Sequence, residues 1–182
     1  MKAMTTHEGL LRRLDRSGVP LLVARLFVGG MFAYLAIMKL MDPINFLKLT
    51  HQYGVLPASP PALLNLTAVV MPWVELVCAA ALLLGLTTRG AALVVVGLLL
   101  FFTPLLALHA WGLYTDPTRH FASYCAVKFD CGCGTGEVFI CRKLAENIAL
   151  LAAALIPLLS GSKRFCLDAL LVRSRAGAAA AA

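Results

Sequence analysis

The stretch "GAALVVVGLLLFFTPLLALHAWGLYT" (Gly90–Thr115) contains no acid, no lysine and no arginine. An α-helix rises about 1.5 Å per residue, so roughly 20 consecutive apolar residues cross the hydrocarbon of a bilayer. This run is long enough, and composition says that the bilayer is its solvent. The chain is 60% hydrophobic and 14% charged, with a mean hydropathy of +0.85, whereas soluble domains are roughly 45–50% apolar and about 25% charged. The 182 residues therefore make an integral membrane protein with no room for a sizeable soluble domain.

Outward from this run, three further segments read as spans. "VPLLVARLFVGGMFAYLAIMKLM" covers about 19–41, with Arg25 near one end and Lys39 near the other. The second covers about 61–86 and carries one formal charge, Glu75. The last is shorter: "NIALLAAALIPLLSGS" borrows Leu144 and Ala145 to cover about 144–162, and Pro157 is positioned to kink it. Together with the run at 90–115 these predict an all-α, four-helix transmembrane bundle over residues 19–162. Between the last two spans lies a cysteine-rich loop, residues 116–143. "LMDPINFLKLTHQYGVLPASPP" (Leu40–Pro61) reads as a polar connection ended by its prolines.

Residues 1–18 are basic, but the apolar run that follows is too long for a signal peptide and has no small-residue cleavage site. They read as a retained interfacial segment. Residues 163–182 end in "RAGAAAAA", a low-complexity tail that carries no chemistry. The net charge of +7 follows membrane topology rather than nucleic-acid binding, since the basic residues flank apolar runs. Ten of the 16 lysines and arginines fall on the side of the two termini and six on the other. By the positive-inside rule both termini are cytoplasmic and the cysteine loop faces outward, as in a multi-pass protein of the bacterial inner membrane.

That placement gives the loop thiols Cys125, Cys131, Cys133 and Cys141 an oxidising environment in which disulfides persist. Three pairings are open. As structural staples, bridges here fix a loop too small to own a core, each worth about 2–3 kcal/mol. Cys131-Gly132-Cys133 points elsewhere. A bridge across one residue closes a small ring of poor geometry, and such bridges are oxidising and labile, suited to exchanging electrons. Lys128, Arg142 and Lys143 favour thiolates there, and Asp130 and Glu137 oppose them. A metal is a poor fit, because C-x5-C-x-C-x7-C lacks the usual ligand spacing. Cys78 and Cys166 read as inert packing thiols.

Glu75 lies near mid-membrane, where an ionised carboxylate costs about 2.5–3.5 kcal/mol and needs a partner. Arg25 is the expected partner in an intramembrane polar clamp. The functional alternative for Glu75 is proton transfer or contact with a quinone head group, and quinone is the one cofactor the sequence keeps open. Of the histidines only His109 falls inside a helix, which leaves a bis-histidine haem without its second ligand. Gly29 and Gly30 read as close-packing positions.

The runs "RLFVGGMFAYLAIMKLMDP", "MPWVELVCAAALLLGLTTRG" and "DCGCGTGE", followed by a last helix with "ENIALL", resemble the DoxX-like membrane proteins, especially the MauE-type branch of methylamine utilisation. The resemblance covers about Val19 to Ser160. It implies a four-helix membrane bundle associated with redox processes, supporting disulfide formation in an exported partner, often beside a thioredoxin-like protein. By motif position Arg25, Lys39, Glu75, Arg89, Cys131 and Cys133 carry over. The family's frequent Cys-Gly-Cys-Phe-Gly is Cys-Gly-Cys-Gly-Thr-Gly here, and Cys125 and Cys141 flank it.

The leading expectation is a membrane thiol–disulfide or thiol–quinone oxidoreductase with Cys131 and Cys133 as the exchanging pair. Cys125 and Cys141 then act as a relay or staple, and an exported thioredoxin-like or disulfide-bearing protein is the partner. The rival is a non-catalytic accessory subunit of a larger respiratory or photosynthetic electron-transfer complex. Its appeal is that no complete cofactor site is visible in the chain.

Overall fold

The computed structural model describes residues 18–54, 61–132 and 136–160. The basic amino-terminal segment, Cys133, Cys166 and the alanine-rich tail fall outside them. The described chain is mostly helical: α1 (Val19–Met41), α2 (Pro43–Gln52), α3 (Pro61–Leu84), α4 (Thr88–Thr115) and α5 (Ile140–Leu159). Between α4 and α5 lie a 3-10 turn (Tyr124–Ala126) and a hairpin of β1 (Lys128–Asp130) and β2 (Glu137–Phe139). Among the described residues α1, α3 and α4 are long and apolar enough to cross a membrane. The 20-residue α5 begins at Ile140, earlier than its sequence implies, and carries Arg142, Lys143 and Glu146 in its first two turns.

Inside and outside are distinguished by packing rather than polarity. Leu21, Ala24, Arg25, Val28, Phe32 and Ala36 form the buried stripe of α1, at the i, i+3, i+4 spacing that one helix face requires. Val23, Phe27, Trp73, Val77, Leu93 and Leu108 point outward and are exposed, which is how helices present themselves to lipid. Val28, Phe32, Ala79, Leu82, Val95, Leu99, Leu150 and Ala154 meet in a core shared by α1, α3, α4 and α5. A second core lies beneath the hairpin, where Leu106 and Ala110 of α4 meet Val127, Phe129, Cys131 and Ile140.

Helix α1 packs closely on α3 at Gly29. A Cβ there meets Leu83 Cγ at 2.9 Å and the Ala79 carbonyl oxygen at 3.1 Å, while one on Gly30 meets nothing within 4 Å. Only the first of the two glycines is therefore a packing position. Gly29→Ala is expected to lower stability in mild detergent by about 1–3 kcal/mol, as overpacking does. Gly30→Ala should be neutral or slightly stabilising. Parallel thermal unfolding of the two variants checks the contrast.

Two arginines finish helices. After α3, Gly85 takes φ +74°, its N–H donates to the Leu82 carbonyl and the Leu86 N–H to that of Ala81. This is the Schellman ending that glycine permits. Arg25, 1% exposed, adds Nε to the Leu82 oxygen at 2.7 Å and a terminal nitrogen to the Leu83 oxygen at 3.3 Å. At the end of α5, Arg89 donates to the Ser160 carbonyl at 2.8 and 3.3 Å. Each guanidinium lies at the negative end of a helix dipole, and together they gather one end of the bundle.

Candidate functional site

At the opposite end, α2 was expected as a polar connection but is an amphipathic helix. Pro43 sits in its first turn and the Asp42 carboxylate accepts from the Asn45 N–H at 3.0 Å, a capping arrangement that starts the helix cleanly. It brings Phe46, Thr50 and Tyr53 to the hairpin. The Tyr53 hydroxyl donates to the Cys131 carbonyl at 2.9 Å. Burial, reinforced by the Asp130 carboxylate, pushes the Tyr53 phenol well above its ordinary range, so it remains a donor. His109 is held between the Tyr53 and Phe129 rings, with centroids 4.9 and 5.3 Å away.

The hairpin pairs Lys128 with Phe139, Phe129 with Val138 and Asp130 with Glu137. This short sheet lies within the cysteine-rich loop of an otherwise helical chain. Its strands of three residues are too short to leave a periodic signal. Beyond β1, Gly132 takes φ +71° and donates its N–H to Asp130 Oδ1 at 3.0 Å, an Asx-type turn. Cys125 of the 3-10 turn is joined to Cys141 in the first turn of α5 by a disulfide with a Cα–Cα distance of 5.0 Å. Cys131 is also disulfide-bonded and 7% exposed. Cys78 is a buried free thiol.

Glu75 does not meet Arg25. Its carboxylate takes both bonds from Lys39 Nζ, at 2.6 and 2.7 Å, and both side chains are buried, at 11% and 7% exposure. The reason is register. Helices α1 and α3 run antiparallel, with Gly29 against Ala79 and Leu83, so Arg25 lies level with the end of α3. Lys39 is fourteen residues further along α1, about 21 Å away, where it reaches Glu75. Its ammonium also lies 5.2 Å from the centre of the Phe46 ring, a cation–π contact.

Beside this pair is a cavity of about 270 Å³. Phe32, Phe46, Phe101, Phe102, Met71, Leu99 and Leu105 supply apolar wall, and Lys39, Glu75, Lys143, Asn147, Thr50 and Thr67 supply polar groups. Cys131 and Gly132 form part of the same lining. Lys143 is 3% exposed and has its ammonium 3.5 Å from Glu146 Oε2. Asn147 donates to Thr103 Oγ1 at 3.1 Å, tying α5 to α4. An adjoining cavity of about 290 Å³ shares Lys39, Phe46 and Gly132 and runs under α2 and the hairpin. A disulfide sulfur, two buried ammoniums and an aromatic wall thus converge from five helices and the loop.

Cys131 and Glu75 line one chamber, while Arg25 is a helix cap outside it. Lys143 and Asn147 were not singled out as polar groups of this chamber, although a signal existed. Lys143, Asn147, Leu150, Ala154 and Pro157 form the buried stripe of α5, so an amphipathic plot of that helix puts an ammonium and an amide on its inner face.

Such an arrangement defines a multi-pass membrane protein with a stapled cysteine hairpin beside a cavity lined by its helices. The chain belongs to the family of the methylamine utilisation protein MauE, which it matches over residues 17–118, more than half its length. The match ends within the connection after α4, ahead of the four loop cysteines and α5. No curated protein and no solved structure matches the chain significantly.

Proposed function

We propose that the chain is a thiol–disulfide exchange protein of the bacterial inner membrane. In this reading α5 is the fourth span, both termini are cytoplasmic and the hairpin faces outward. Cys131 and Cys133 form the exchanging pair, and the partner is an exported thioredoxin-like or disulfide-bearing protein. The observation that supports it is the division of labour among the sulfurs: Cys125–Cys141 ties the loop to α5, and Cys131 has its own disulfide at the wall of a cavity. A staple alone has no use for that second position.

The step is a pair of displacements. A partner thiolate attacks the Cys133 sulfur, Cys131 leaves as thiolate, and the partner's second thiol then displaces Cys133. The partner gains a disulfide, and Cys131 and Cys133 each end as thiols. Because Cys131 is nearly enclosed, it suits the leaving position rather than the attacked one. In Cys131→Ser the Cys133 thiolate attacks the disulfide of an already oxidised partner and releases one partner thiolate, and no Cys131 remains to resolve the product. A mixed disulfide through Cys133 with an exported protein is expected to accumulate, visible on non-reducing gels and identified by mass spectrometry. If that variant changes only thermal stability and copurifies with an unchanged large assembly, the accessory-subunit reading replaces this one.

A further inference from the structure

The exchanging pair needs an oxidant, and the cavity behind it has the chemistry to hold one. We propose that this cavity binds the head group of a lipid-soluble quinone, which reoxidises the Cys131 and Cys133 thiols. The electron step rests on the exchange reading above; the binding site does not.

The cavity lies among the membrane helices. Phe101 belongs both to its wall and to the outer face of α4, where it is 53% exposed. A ligand dissolved in the bilayer therefore reaches the chamber without crossing water. The volume of about 270 Å³ is near the low end for small-molecule pockets, which suits a substituted ring whose isoprenoid tail remains in lipid. Aromatic walls stack on a flat ring. The Lys39 and Lys143 ammoniums are buried donors of the kind that hold carbonyl oxygens through charge-assisted bonds. Lys39 keeps Glu75 as its counterion. A neutral acceptor fits such a chamber better than a second carboxylate, because it requires no further charge to be buried.

The balance closes. Two S–H bonds break and one S–S bond forms, releasing two electrons and two protons; the quinone takes both electrons and both protons and leaves as quinol. The buried pair of Lys39 and Glu75 stands beside the ring site, where it can relay protons.

The test is thermal stabilisation of the purified full chain in mild detergent by a short-tail ubiquinone, with menadione as the naphthoquinone arm and oleate as the anionic-lipid arm. Wild type and the Cys133→Ser variant should both be stabilised, which separates binding from exchange. Lys143→Met should bind at least tenfold more weakly while keeping its elution volume and helical content, and Lys143→Arg should recover part of the affinity. Reduced wild type should convert bound quinone to quinol in one turnover, and Cys133→Ser should not. The proposal is overturned if neither quinone stabilises the wild type or if Lys143→Met binds unchanged. Displacement of quinone by oleate at equal concentration, or a reduced wild type that leaves bound quinone unreduced, overturns it too.

Discussion

Lys39→Met is expected to cost about 3–5 kcal/mol, because it leaves the Glu75 carboxylate buried with no counterion. The two oxygens lie 2.6 and 2.7 Å from the ammonium, so both bonds are lost together. The double variant Lys39→Met/Glu75→Met should recover most of the loss, since two apolar groups of similar length replace a desolvated pair. Arg25→Met should leave the coupling between Lys39 and Glu75 unchanged, because its guanidinium serves another helix end. A double-mutant cycle read by thermal unfolding in mild detergent decides this. An Arg25–Glu75 clamp demands the opposite pattern.

Arg25→Met is itself expected to destabilise by about 3 kcal/mol, on the basis of charge-assisted bonds of roughly 1.5–3 kcal/mol each. It removes the donors to Leu82 and Leu83 at the end of α3, leaving the Leu82 oxygen to the Gly85 N–H. Arg25→Lys should recover little, since one ammonium on a shorter stem does not reproduce the planar fork. Gly85→Ala should be as damaging by another route. Its Cβ collides with the Arg25 guanidinium, and φ +74° strains an L side chain wherever space exists. If Gly85→Ala is neutral and Arg25→Met costs under about 1 kcal/mol, this helix ending is not what anchors α1 to α3.

The sequence makes the membrane helices legible because their signal is long and one-dimensional. An uncharged run such as Gly90–Thr115 has one stable environment. Partner choice is different in kind. Arg25 and Lys39 are both cations on the inner stripe of α1, and only the antiparallel offset of α1 and α3 decides which of them reaches Glu75. That offset is set by Gly29 on Ala79 and Leu83, a contact between distant segments with no local pattern. Helix α2 was within reach, since Asp42 before Pro43 is a helix-start signal, but its placement near several prolines favoured a loop. The cavity was least legible of all. It is built from residues of five helices and a loop, each ordinary alone.

The account rests on an exchanging pair that faces the oxidising side and is easier to reduce than the staple beside it. The direct measurement treats intact cells with graded reductant and a membrane-impermeant maleimide, then maps the modified cysteines by mass spectrometry. The prediction is that Cys131 and Cys133 become modified at reductant levels that leave Cys125–Cys141 intact, without permeabilisation. Modification that requires a broken membrane, or simultaneous release of all four sulfurs on unfolding, contradicts the account.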